Sequence, residues 1–451
     1  MTRYLFTTLP TNDLGLLTRS LPIARELAAL GHSIVFCSPA KAPRRLISDA
    51  GFENLTPKHP IYELIDVDRS FIGLVRFFIS RGWKHHDENI IQFLQKLIPA
   101  LPIRSPPKST DVWNMDQAGA VMGMLNEGFV RANCEAFRCL IETSGADVIV
   151  DFWNPFAVIA ARAIGKPVVT VIQANAHPDS GGFLWWETPP PDLPTPVSVV
   201  NRVLGDYGLA PVKSLADLSV GDLTLVVGMP ETDPLPDTAN VNYIGSVLWQ
   251  DADARLPEWI DALSKNKPLI WVYSGNPRYS SSSEDLDSVV VLHACKEALA
   301  REEVHVVLTT GHHPLPDDLL PLPDNFRYAA YLPGLLMARR SDLLIHHGGY
   351  GSCQAGLDAG KPAVIIPTYS ERLGNARRLA AAGAAEIVRV NWVSGKKQVR
   401  PDELRSAVRH VLANAAYTES ARRLAEELRS YGGAPKAAQM IEAFTEERRS
   451  K

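Results

Sequence analysis

The stretch from Leu343 to Ala385, LLIHHGGYGSCQAGLDAGKPAVIIPTYSERLGNARRLAAAGAA, constrains the fold more than any other part of the chain. Leu343–Ile345 reads as the end of a buried strand with Asp342 at its foot, and an apolar helix begins near Ser352. Between them lie two histidines and a turn in which Gly348, Gly349 and Gly351 let the backbone come close to a ligand. Such a turn aims unpaired N–H groups from a helix start, where the helix dipole also favours negative charge. It predicts a phosphate or diphosphate site. A second strand, from Ala363 to Pro367, delivers the polar loop Thr368–Gly374 beside that turn. Adjacent strand ends of this kind are where doubly wound α/β sheets take ligands. The plainer alternatives are a structural histidine pair and a turn that only joins strand to helix.

The same strand–helix rhythm runs through the rest of the chain. Tyr4–Leu9, Ser33–Cys37, Asp147–Val150 and Pro167–Ile172 read as strands, with helices at Leu21–Leu30 and Phe156–Ile164. It returns with strands at Leu269–Tyr273 and Val304–Thr309 around a helix at Val289–Ala300. Two such runs predict an α/β protein of two Rossmann-like, doubly wound halves. Met229–Asn266 is rich in Pro, Asp and Thr and reads as the connection. The expected division is 1–235, a linker 236–266, 267–428, and a helical tail 429–451.

With 451 residues the chain can bury a core in each half. A formal charge of −4 gives no support for nucleic-acid binding. The N-terminus lacks the pattern of a secretory leader, and no apolar run reaches the ~20 residues of a membrane span. The five cysteines lack metal spacing and read as reduced thiols of a cytoplasmic protein.

Four pieces of the opening stretch together resemble the donor-sugar signature of family-1, GT-B-type glycosyltransferases: His347-Gly348-Gly349, Gly360-Lys361-Pro362, Glu371-Arg372 and Asn375-Ala376. The resemblance implies two domains facing a cleft, a tail crossing back to the N-terminal domain, and a nucleotide sugar held by the C-terminal half. It assigns Ser274, Gly275 and Asn276 to a loop that meets the diphosphate, and Tyr331 to stacking on the nucleobase. His347 would donate to the diphosphate, joined by Gly349, Gly351 and Ser352. Glu371 and Asn375 fall at the sugar, with Glu371 accepting from its hydroxyls. Arg372 stands where the family usually has Gln; it only donates, and carries charge. Contact with phosphate or with an anionic or deoxygenated sugar, and a solvated role beside Glu371, both stay open.

Glycosyl transfer needs a base at the acceptor hydroxyl. The family often supplies a His from the first N-terminal loop, which here reads Leu9-Pro10-Thr11-Asn12-Asp13-Leu14-Gly15. Asp13 holds the position, which resembles the loop of glycopeptide-antibiotic and sterol glycosyltransferases. Asp151, at the end of a strand, resembles the acid that orients the histidine in other relatives, and a neighbouring carboxylate would raise the pKa of one of the pair. The alternatives are a helix cap at Asp13 and a simple turn at Asp151. Trp153, Asn154, His177 and Trp186, with Trp185 and the stretch Phe71–His86, are expected to line an apolar acceptor pocket, or else to belong to the core. Phe71–His86 also suits a lid or peripheral contact with a membrane surface.

The expected activity is inverting transfer from a UDP- or dTDP-sugar to a hydroxyl of a small, mostly apolar acceptor: a natural product, phenolic, macrolide or lipid-like aglycone. No cofactor and no metal are expected. The rivals are a non-catalytic GT-B auxiliary protein and a nucleotide-sugar epimerase. Oligomeric state is open.

Overall fold

A computed structural model describes residues 1–10, 14–65, 67, 76–77, 90–102, 112–184, 186–251, 253–274, 287–311, 314–394 and 396–450. Two parallel sheets carry the fold. The first contains β1 (Arg3–Thr8), β2 (Ser33–Cys37), β3 (Glu53–Leu55), β4 (Val148–Phe152), β5 (Val168–Gln173), β6 (Leu223–Val227) and β7 (Asn242–Tyr243), in the order 3-2-1-4-5-6-7. The second contains β8 (Leu269–Tyr273), β9 (His305–Thr309), β10 (Phe326–Ala329), β11 (Leu343–His346), β12 (Ala363–Ile365) and β13 (Ala385–Ile387), in the order 10-9-8-11-12-13. A hairpin, β14 (Val390–Val393) with β15 (Lys396–Val399), follows it.

Strands such as Val148-Ile-Val and Leu343-Leu-Ile are apolar at successive positions because both faces of each sheet are covered. On the first sheet Leu5 and Ile149 face one core, while Tyr4, Phe6, Val148 and Val150 face the other. The second sheet divides its strands in the same way. In each sheet the chain reverses direction of growth at one place, between β1 and β4 and between β8 and β11. That reversal opens a crevice at the strand ends. It places Thr7 beside Asp151 in one half and Tyr273 beside His346 in the other.

Two elements tie the halves together. β7 lies within 236–266 and adds a strand to the first sheet, so this segment is ordered structure as well as a connection. The helix Gly433–Ser450 packs on the helix Leu17–Ala29, burying Ala437, Ala438 and Ile441 in the first domain's core. Small residues let the two helices approach closely, and burying Ile441 alone stabilises by roughly 2 kcal/mol. Thr445 accepts from the Tyr4 hydroxyl at 3.1 Å, and Glu442 meets His32 at 2.9 Å. Helix Leu17–Ala29 starts a turn earlier than its apolar spacing predicts, because Leu14 and Leu16 carbonyls already accept from Thr18 and Ser20.

Candidate active site

At the end of β11 the chain turns sharply. Gly348 has φ +86°, and a Cβ there would sit 2.7 Å from the Arg372 carbonyl oxygen, so only glycine fits. Gly349 precedes the first turn of the helix Tyr350–Asp358, and a side chain on it would strike the His347 ring at 2.6 Å. The helix therefore begins at Tyr350, two residues earlier than the sequence pattern indicates. Gly351 is different: a Cβ placed there would have no atom within 4 Å, and its φ is ordinary, so the fold itself does not demand glycine.

The turn fixes the chemistry of both histidines. The Gly349 N–H donates to His347 Nδ1 at 3.3 Å, and the Gly348 N–H donates to His346 Nδ1 at 3.1 Å. A backbone amide can only donate, so in each ring the proton sits on Nε2. Burial holds the His347 pKa well below its ordinary value, helped by the nearby Arg372 guanidinium and by His346. Burial alone pushes His346 down to about 4. His347 is thus a neutral Nε2–H donor at a helix start, packed edge-on against the Tyr273 ring at 6.1 Å.

The helix Ser370–Ala381 supplies the next side chains. Asn375 Nδ2 donates to the Gly348 carbonyl at 3.0 Å and to Glu371 Oε1 at 2.8 Å, so it links the glycine turn to the carboxylate. Burial raises the Glu371 pKa, opposed by the Asn375 hydrogen bond and by Arg372. Arg372 lies over the Tyr369 ring at 4.2 Å and donates to Thr368 Oγ1. His347, Gly349, Glu371, Arg372 and Asn375 therefore share one crevice, with Ser352 half-buried in the first turn of the adjoining helix. Ser274 is buried at the end of β8; Gly275 and Asn276 lie outside the described residues. Tyr331, 49% exposed, follows β10, three strand positions from β11. That is about 14 Å across the sheet, the scale of an extended nucleotide.

In the first domain, Asp151 is buried at the end of β4. Its carboxylate accepts from Thr7 Oγ1 at 2.5 Å and from the Asn154 N–H at 2.9 and 3.1 Å. Burial nevertheless pushes its pKa up to about 7. Asp13 lies outside the described residues, as do Trp185 and most of Phe71–His86. Asn154, fully buried, caps the helix Pro155–Ala163 and donates to the Thr8 carbonyl at 2.9 Å, so its side chain is spent on holding β1 to β4. Trp153 takes φ 61° in this tight turn and borders a narrow cavity with Met122, Met124, Leu215 and Leu218. His177 is buried, with its pKa lowered by burial and its Nδ1 accepting from the Asp179 N–H at 3.2 Å. Trp186 reaches across the cleft, with Arg377 and Arg389 of the second domain 5.6 and 5.3 Å from its ring.

Several residues that shape this cleft escape a reading of the sequence. Gln173, at the end of β5, turns its amide so that the oxygen accepts from Arg19 at 2.8 and 2.9 Å and the nitrogen donates to Glu371 at 3.3 Å. Arg19, Thr7, Tyr350 and the two methionines carry no local signal of function. Only the fold brings them beside the two crevices.

Residues 294–444 match the family model described as the erythromycin biosynthesis protein CIII-like C-terminal domain. A PGL/p-HBAD biosynthesis glycosyltransferase of Mycobacterium tuberculosis is 28% identical over 332 residues, 67% of this chain and 71% of that protein. These matches support a glycosyltransferase of the family-1, GT-B type, with the family's C-terminal domain in the second half of the chain. Solved glycosyltransferases share the fold over nearly the whole chain. The calicheamicin glycosyltransferase CalG4 superposes with a TM-score of 0.65 at 21% identity, covering 98% of each chain. The glycosyltransferase VinC, solved in complex with dTDP, gives 0.65 at 18% identity, covering 99% of this chain and 100% of that one. This glycosyltransferase thus has the two-domain architecture that its opening motif implied, and among its described residues no helix is long and apolar enough to cross a membrane.

Proposed function

We propose that this glycosyltransferase moves a sugar from a UDP- or dTDP-sugar to a hydroxyl of a small, mostly apolar acceptor, with inversion at the anomeric carbon. The observation that carries the donor half is His347: a neutral ring whose Nε2–H is fixed by the Gly349 amide at the start of a helix. A donor already oriented before the reaction stabilises the charge that develops on a departing diphosphate. Arg372 adds positive charge beside it, and Ser352 a hydroxyl. Glu371 and Asn375 meet the sugar, and Tyr331 offers an open ring face to the base. The neighbour solved with dTDP supports a thymidine nucleotide, with uridine the alternative.

Asp13 is the general base in this reading, carried by its place in the loop after β1. Attack by the acceptor oxygen forms the new glycosidic bond as the bond to the diphosphate breaks, and the hydroxyl proton passes to the base. Asp151, whose pKa burial pushes up to about 7, stands beside Thr7 at the β1–β4 strand ends and is the second carboxyl group of this reading. The acceptor in this reading is an apolar aglycone such as a natural product, phenolic, macrolide or lipid, met by the half-buried Trp186 at the cleft. Peripheral membrane contact would serve a lipid acceptor. The charge on the diphosphate is met without a metal, so turnover should survive EDTA. Five unpaired cysteines support a cytoplasmic setting.

The test is a thermal-shift panel of UDP, dTDP, GDP and ADP with their common sugar conjugates, followed by turnover against an acceptor library. A ligand of the native state raises the midpoint by mass action. A selective shift with UDP or dTDP and acceptor-dependent nucleotide release are expected. Binding without transfer under any acceptor would favour an auxiliary role instead.

A further inference from the structure

Tyr350 is a bulky residue set inside a glycine turn, and its ring belongs to the other domain. It is buried among the first domain's core residues, and its hydroxyl donates to the Val227 carbonyl at the end of β6, at 2.5 Å. The Arg19 guanidinium lies 5.3 Å from the ring centre. The neighbouring backbone makes room for this contact. Gly228 has φ +104°, and a Cβ there would come within 2.7 Å of the Tyr350 hydroxyl and 2.2 Å of Asp233 Oδ2.

Asp233 stands beside the hydroxyl, 1% exposed. Thr232 Oγ1 donates to its Oδ2 at 2.8 Å, and the Tyr243 hydroxyl donates to its carbonyl at 2.6 Å, which fixes the loop. Its Oδ1 is 3.6 Å from Arg378 Nη1, on the helix that carries Glu371 and Asn375. Both atoms are buried and neither has a hydrogen-bond partner among the described residues. An ion pair held just beyond hydrogen-bond length, with both ends buried, gains strongly from a small approach of the two domains. Among the described residues, charged or titratable groups facing Asp233 are Arg19 from the helix Leu17–Ala29, Tyr350 and Cys353 from the helix Tyr350–Asp358, Arg378 from the helix Ser370–Ala381, and Tyr243 from β7.

We propose that Tyr350 and Asp233 are positioning residues for sugar transfer, forming an interdomain clasp that sets the distance between the donor turn and the acceptor strand ends. The clasp acts on the residue that directly follows His347-Gly348-Gly349, so movement of one domain is felt at the turn itself. This rests on the reading that the turn holds the donor diphosphate. The donor groups named above otherwise come from the second domain, so loss of the clasp disturbs transfer and leaves nucleotide binding nearly intact.

Tyr350→Phe keeps the ring and removes the hydrogen bond; Asp233→Asn keeps the shape and removes the charge. For each, the affinity of UDP and dTDP is measured by calorimetry, and kcat and KM by nucleotide release from the matching sugar conjugate with a phenolic acceptor. Amide hydrogen exchange is followed at 226–233 and 348–352. Nucleotide affinity within about threefold of the parent, kcat reduced at least tenfold, and faster exchange in both segments are expected. Asp233→Asn should also flatten the acidic limb of the kcat profile. Parent-like kcat with parent-like exchange in both variants overturns the clasp, as does loss of affinity in proportion to kcat. Failure of the parent protein to bind either nucleotide refutes the donor reading instead, and unchanged exchange then overturns the clasp on its own.

Discussion

The two halves of this glycosyltransferase are built on one plan and use it differently. Each is a parallel sheet whose first strand is central and whose crevice opens between its first and fourth strands. In the second half the crevice is filled by backbone: a glycine turn, two histidine tautomers set by amides, and an asparagine bridging turn and carboxylate. In the first half the described residues put side chains there: Thr7 on β1 donates to one acid, Asp151, which is wrapped by its own turn. A site made of backbone has few sequence solutions. A site made of loop side chains has many. On the proposed function, the donor is held by a site of the first kind and the acceptor is chosen by one of the second.

The largest expected effect tests the weaker half. Asp13→Asn should lower kcat by about 10²–10⁴-fold, the usual contribution of a general base, while calorimetry shows nucleotide affinity nearly intact. Unchanged turnover would return Asp13 to the role of a helix cap. Next comes His347→Ala, expected to lower kcat by about 10²-fold or more through loss of a donor to the developing charge. If KM alone moved, His347 would be a ground-state binder and the comparison of a preset half with an adaptable one would weaken.

A pH experiment separates structural from reactive histidine. Burial holds His346 at about 4, below its ordinary value, so the folded state binds fewer protons than the unfolded one between about pH 4 and 6.5. Its contribution to stability is therefore fully present above pH 6.5 and falls as the pH drops through that window, by roughly 3 kcal/mol in all. Denaturant titrations from pH 7 to 4.5 should show that loss, and His346→Asn should remove most of it. An identical pH slope in the variant would place the acid sensitivity elsewhere.

The smallest effect on folding is the sharpest on function. Gly351→Ala meets no atom within 4 Å and replaces glycine in a helix, so the thermal midpoint should hold or rise, by up to about 1 kcal/mol in stability. If the turn holds the donor diphosphate, nucleotide affinity should still fall, because the added methyl occupies open space at the start of that helix. Equal affinity would show that the ligand keeps its distance from this turn.

What the sequence made legible follows the same division. The strands of both sheets are short apolar runs, and most stand out because a doubly wound sheet is buried on both faces. The glycine turn stands out because Gly348 and Gly349 are required by a positive φ and by the His347 ring. Edge strands such as Glu53–Leu55 and Asn242–Tyr243 are too short and too polar to show periodicity. The contacts across the cleft were invisible for a different reason. Tyr350 with Val227, and Asp233 with Arg378, join residues more than a hundred positions apart, and no local pattern encodes such a pair. Asn154 reads in sequence as an acceptor contact, yet it is a helix cap and a strand tie, because a polar residue after a strand serves either purpose equally well.

The helix Gly433–Ser450 has a meaning for the order in which the protein is made. It covers a face of the first sheet formed by Tyr4, Phe6 and the helix Leu17–Ala29, yet it is translated after the entire second domain. On the ribosome, the earliest part of the chain must wait with that apolar face uncovered while about four hundred further residues emerge. The first domain to begin folding is the last to finish, and the interval between is when a chaperone, or a stray neighbouring chain, has access to it.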